Sequence, residues 1–172
     1  MRTYFIGAAF AILLASPALA DEPACAALAD TIVETATRDV LRDAVEANPE
    51  LKELDGNELA SGAGRIFLTA DRPDFKAYGY MMLLWYGGKD GRDLVAQAGP
   101  ELQTEEDRAH YYFVLGLFQL RSKDAATAAT GRDYIRQMRD SGKVTFVSEA
   151  VWDQLDQQVQ AACLKQRARR RN

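Results

Sequence analysis

Residues 75–86 read Phe-Lys-Ala-Tyr-Gly-Tyr-Met-Met-Leu-Leu-Trp-Tyr, the most apolar stretch beyond the N-terminal twenty residues. So continuous a run suits either a buried strand or a buried helix. The Met-Met-Leu-Leu centre holds no β-branched residue, and unbranched side chains lose little rotamer freedom in a helix. A helix apolar around its whole circumference belongs inside a protein, so this segment is predicted to be the central buried element. Asp71-Arg72-Pro73 restarts the chain before it, and Gly87-Gly88 turns the chain after it.

The flanking sequence repeats the helical pattern. Upstream, Leu28, Ile32, Val33, Ala36, Val40, Leu41, Ala44 and Val45 form one stripe over residues 24–47. Asn48-Pro49 stops that helix, because a residue before proline avoids helical backbone angles. A short element follows near Leu51–Leu54. Asn57 then reads as the N-cap of a helix running to about Thr69, with Ile66 and Phe67 facing inward. Downstream, a short helix from about Gly91 to Ala98 ends at Gly99-Pro100. Thr104 with Asp107 makes a start resembling a capping box, and Glu105 and Glu106 favour the first turn of a helix reaching about Arg121. Asp124 caps the next, which stops at Gly142, and a last helix runs from about Thr145 through Val159 to about Gln166. No alternating run long enough for a sheet lies between them. The fold is predicted to be all-α, with about seven helices in hairpins or, alternatively, in a generic orthogonal bundle.

The chain has 172 residues, 48% of them apolar and 27% charged, enough for the core of one domain. One histidine and two cysteines leave little stock for zinc, iron–sulfur or histidine-triad chemistry, so no metal and no cofactor is expected. Arg2, the apolar run Phe5–Leu14 and the Ala18-Leu19-Ala20 pattern read as a cleavable signal peptide over residues 1–20. That run is well short of the roughly 20 residues a membrane span needs. Glu22-Pro23-Ala24 lacks the apolar residue a lipidation signal would place ahead of Cys25. The expected product is a periplasmic protein with one helical domain, 21–166, and a basic tail, 167–172. In an oxidising compartment Cys25 and Cys163 are expected to pair. Such a bond would close a loop over nearly the whole domain, worth about 5 kcal/mol at most in the chain-entropy picture.

Residues 109–155 carry a resemblance. Tyr111-Tyr112-Phe113-Val114-Leu115-Gly116, followed by Ala128, is similar to a tetratricopeptide repeat, in which small residues let paired helices approach. Phe146-Val147-Ser148-Glu149, with Trp152 and Leu155, resembles the closing segment of NlpI-type periplasmic proteins. Gly131 and Ile135 depart from the repeat pattern, and no second repeat is evident upstream. The resemblance implies helical hairpins that bind another envelope protein without catalysis.

Candidate chemistry is sparse. His110, with Glu106 one turn earlier, has the makings of a general base, but no motif marks a nucleophile, so it reads as a surface or half-buried helix residue. Gly87-Gly88-Lys89-Asp90-Gly91 lacks the spacing of a phosphate-binding loop and reads as a helix–helix turn. None of the 25 acidic residues is singled out as a hydrolase pair. Most aromatic residues read as core, with Tyr80 and Tyr112 as exposed partner contacts. Lys165, Arg167, Arg169, Arg170 and Arg171 gather five of the 21 basic residues at the C-terminal end, against an acidic body. Such a tail suits an anionic membrane surface or an acidic partner, and the acidic body argues against nucleic acid. The expected function is a non-catalytic envelope adaptor. The alternative is an immunity or inhibitor protein that neutralises an exported toxin or cell-wall hydrolase.

Overall fold

The structure, a computed structural model, describes residues 22–158. Seven α-helices follow in order: α1 (Glu22–Ala47), α2 (Gly56–Leu68), α3 (Pro73–Tyr86), α4 (Gly88–Ala98), α5 (Glu105–Gln119), α6 (Ala125–Ser141) and α7 (Glu149–Gln158). Two short 3₁₀ segments, Pro49–Glu53 and Gly99–Glu101, link them, and no strand occurs among the described residues. The fold is all-α. Residues 1–20, expected to be a signal peptide, Cys163 and the basic residues Lys165, Arg167, Arg169, Arg170 and Arg171 lie outside the described residues.

The apolar run forms α3, and it is central. Ala77, Gly79, Tyr80, Met81, Met82, Leu83 and Leu84 are all buried, because α2, α5, α4 and α1 pack around it. Each large apolar side chain buried in this way contributes about 1.5–3 kcal/mol. Most of the core joins α1, α3, α5 and α7, from Leu28 and Val33 through Leu83 and Phe113 to Trp152. A smaller cluster, around Ala44, Leu51, Phe67 and Met82, seals α2 against the end of α1.

Two hairpins use one packing device. In α2–α3, a Cβ placed on Gly79 would lie 2.9 Å from the Gly64 carbonyl oxygen and 2.9 Å from the Leu68 amide. In α5–α6, a Cβ on Gly131 would lie 2.6 Å from the Gly116 carbonyl oxygen. The glycines thus allow backbone-to-backbone approach in both. The pairs 64/79 and 116/131 have the same separation, and the second repeats the first 52 positions on. Gly116 therefore meets Gly131, not Ala128 as the repeat pattern suggests. Gly131, which departs from that pattern, is the other half of the contact.

Several boundaries differ from expectation for local reasons. The start of α2 is set by Asp55, whose carbonyl accepts from the Glu58 and Leu59 amides, and Asn57 lies inside the first turn. Asp55 gives no side-chain cap, and Gly56 follows it at φ +48°. Phe67 is buried as expected, but Ile66 is only half-buried. α4 starts at Gly88 rather than near Gly91. The last helix begins at Glu149 rather than Thr145, because the Thr145 amide bonds to His110 and the helical bonding starts at the Ser148 carbonyl. By contrast, Thr104 and Asp124 cap α5 and α6 as predicted, accepting from Asp107 N at 2.9 Å and Thr127 N at 2.7 Å. Gly142 ends α6 in the left-handed region, φ +63°.

Candidate protein-binding face

The close α5–α6 approach fixes what lies one turn away from it. Tyr112 precedes Gly116 by a turn and Tyr134 follows Gly131 by nearly one, so antiparallel helices bring them level. Their ring centroids are 5.0 Å apart, and Tyr112 also meets Tyr111 edge-on at 5.4 Å. Both Tyr112 and Tyr134 are half-buried, with part of each side chain facing solvent. Leu115 beside them is half-buried too, while Arg108 is exposed and reaches back to the Leu102 carbonyl.

Tyr111 points the other way, into the core against Tyr80 at 5.3 Å. Burial pushes its phenol up from the ordinary value, with Tyr112 and Tyr134 adding to the shift. Tyr80 is only 2% exposed, and burial, with Asp107 and Tyr111, raises its phenol to about 12. The expectation that Tyr80 is available to a partner is therefore corrected: it sits on the inner side of the packed α3. Of the two tyrosines expected at the surface, only Tyr112 has solvent-facing area.

His110 is also placed differently from expectation. It is 0% exposed, in the middle of the contact between α5 and the 143–148 connector. Its Nε2 accepts from the Thr145 amide at 3.1 Å, and the Thr145 hydroxyl donates to Glu106 at 3.2 Å. The ring meets Phe146 at 5.0 Å, and Nδ1 is buried without a hydrogen-bond partner. Thr145 thus stands between Glu106 and the imidazole, and the carboxylate does not orient the ring as a general base would require. Nearby, Asp107 bonds to Thr104 and to Lys76 Nζ at 3.4 Å. Burial works to raise the Asp107 carboxyl, but the Thr104 bonds and the Lys76 ammonium prevail and hold it below the usual range.

A third cluster has no counterpart in the sequence reading. Asp30 of α1 accepts from Trp85 Nε1 at 2.7 Å and from Arg121 Nε at 2.8 Å. The Arg121 guanidinium lies 5.2 Å from the Trp85 ring centre and 5.7 Å from that of Phe118. It joins α1, α3 and the end of α5. Asp30 lies 55 positions from Trp85 and further still from Arg121, so no local pattern announces the cluster.

The turn expected over Gly87–Gly91 is shorter in the structure: Gly87 alone separates α3 from α4, and Gly88–Gly91 form the first turn of α4. Gly87 and Gly91 pack on the Leu83 backbone so closely that a Cβ would lie 2.6 or 2.5 Å from its carbonyl oxygen. Among the described residues, no group of three or more His, Cys, Asp and Glu side chains is arranged to hold a metal ion. No described helix is long and apolar enough to cross a membrane. Compared with family models, with curated proteins and with solved structures, the chain matches none.

Proposed function

We propose that this chain is an exported, periplasmic, non-catalytic protein that binds another envelope protein through the α5–α6 face. The observation carrying this reading is the Tyr112–Tyr134 pair, which presents aromatic area on a hairpin whose glycine contact fixes the two rings in place. Tyrosine supplies large contact area at low entropic cost and is enriched at the centre of interfaces. The resemblance of residues 109–155 to NlpI-type proteins points the same way. The Cys25–Cys163 pairing belongs to this reading. Cys25 is buried in α1, which touches α7, and the chain beyond α7 leads to Cys163. The basic tail is assigned a secondary role, attachment to an anionic membrane surface.

A photo-crosslinker at position 112 or 134, in the intact cell envelope, tests the proposal. The expected result is one set of partner adducts from both positions, absent from a probe at Lys89 on the α4 side and lost in the Tyr112→Ala, Tyr134→Ala double variant. Adducts that ignore probe position contradict it.

The charge balance favours a second reading, inhibition of a basic exported toxin. Residues 21–164 hold all 25 acids against 15 basic side chains, a balance of −10. Under that reading the crosslinks give a single basic effector, whose activity falls in step with one-to-one binding.

A further inference from the structure

His110 is the sole histidine of the chain, wholly buried, and its contacts hold a connector that is neither helix nor strand. The connector carries Phe146, whose ring covers Tyr78 at 5.6 Å, His110 at 5.0 Å and Phe113 at 5.7 Å. From there the chain enters α7, where Trp152 lies on Phe113 at 4.9 Å. Residues 143–148 and α7 thus form a cover over an aromatic surface of α3 and α5. One polar contact at its centre is the Thr145 amide donating to His110 Nε2.

We propose that His110 is an acid-sensitive latch: neutral, it holds the connector and α7 down, and protonated, it releases them and uncovers the Tyr78–Phe113 surface. The chemistry follows from lone pairs. A neutral ring that accepts at Nε2 carries its proton on Nδ1. Protonation puts a hydrogen on Nε2, which then faces the Thr145 N–H donor to donor. The Thr145 hydroxyl donates to Glu106 and keeps lone pairs to accept from an imidazolium, but at 3.4 Å from Nε2 that is a long contact. Nδ1 meets no partner in strict hydrogen-bond geometry, and the Pro73 carbonyl that favours the protonated ring does not outweigh burial.

Charged groups surround the ring from each side. From α3 come Asp74, paired with Arg72, and Lys76, paired with Asp107. From α5 come Glu106 and Asp107, and the connector brings Lys143, paired with Glu105. Burial lowers the imidazole from its ordinary 6.5, and the Pro73 carbonyl, Glu106, Asp74 and Asp107 oppose that shift without reversing it. A folded value below the released value means that the released form binds more protons. The latch is therefore fully closed above about pH 6.5 and weakens as pH falls toward the folded value. Ordinary carboxylates titrate near 4, so His110 is the side chain that changes charge between about pH 6.5 and 5.

The test is an NMR titration of the full chain from about pH 7.5 to about pH 5, with far-UV circular dichroism in parallel. The expected result is a His110 midpoint below about 6.5, matched by shifts of the Thr145, Phe146 and Trp152 signals, binding of an apolar dye and unchanged helix content. His110→Gln retains an acceptor for Thr145 but does not titrate, and it should abolish the dye binding and the coupled shifts. The latch is overturned by a midpoint at or above about 6.5, by a Thr145 amide that does not follow the histidine, or by loss of helix in the same step. If the glutamine variant does not fold, the wild-type titration alone decides, since only one histidine contributes.

Discussion

The hairpins α2–α3 and α5–α6 share the glycine contact and differ in what else holds them. In the first, α3 is surrounded, and neither α2 nor α3 has a side-chain cap: the side chains of Asp55 and Arg72 accept from no first-turn amide. In the second, both helices are capped by their own sequence, at Thr104 and Asp124, and only Ala128, Gly131 and Ile135 of α6 are buried. One hairpin is fixed by tertiary packing. The other is fixed at its ends and left with a face to present. A shared backbone contact therefore does not assign a shared role; the burial around it does.

Substitutions that crowd the two contacts probe this difference most strongly. Gly79→Ala should lower the unfolding free energy by about 3 kcal/mol in urea titration, because backbone on two sides of the new methyl cannot yield. Gly131→Ala meets an even closer carbonyl, yet α6 packs chiefly on α5 and is free to move outward. Alanine's better helix propensity, about 1 kcal/mol, offsets part of the strain, leaving a loss of about 1 kcal/mol. An equal or larger loss at Gly131 would mean that α6 is held as firmly as α3.

The helix starts give the smaller contrasts. Asp124→Ala removes the bonds to the Thr127 amide and hydroxyl and should cost about 1 kcal/mol. Removing its carboxylate also removes an acid-sensitive contribution. The Thr127 bonds hold the Asp124 carboxyl below its ordinary value. That stability is present above the ordinary carboxylate range and is lost as pH falls through the folded value. Asp55→Ala removes a carboxylate that caps nothing and should change stability by less than about 0.5 kcal/mol in the same titration. Equal effects at the two positions would remove the distinction between self-capped and packed helices.

The same contrast decides what was legible in the sequence. Thr104, Asp124 and Gly142 act on amides and angles within a few residues, so their pattern gives α5 and α6 nearly to the residue. The Phe75–Tyr86 run betrays its burial through composition alone. The start of α2 is not legible, because Asn57 has the chemistry of a cap while the chain bends at Asp55-Gly56. The late start of the last helix is not legible because Thr145 and Phe146 are claimed by α5 and α3, partners that lie 33 and more positions away. For the site, Tyr112 was legible as an aromatic residue next to Gly116, and Tyr134 was not, since its nearness depends on Gly131. Tyr80 and Tyr112 look alike in sequence, and only the packing of α3 tells them apart. The repeated glycine spacing, 64/79 and 116/131, is the sequence feature that marks both close contacts.

Native-state hydrogen exchange, read amide by amide, compares the two hairpins in one experiment. The Met81–Leu84 amides of α3 should exchange only through global unfolding. The Arg132–Met138 amides of α6 should open at a lower free energy through a partial unfolding. Equal protection in the two helices, or greater protection in α6, would contradict the division into a packed hairpin and a presented one.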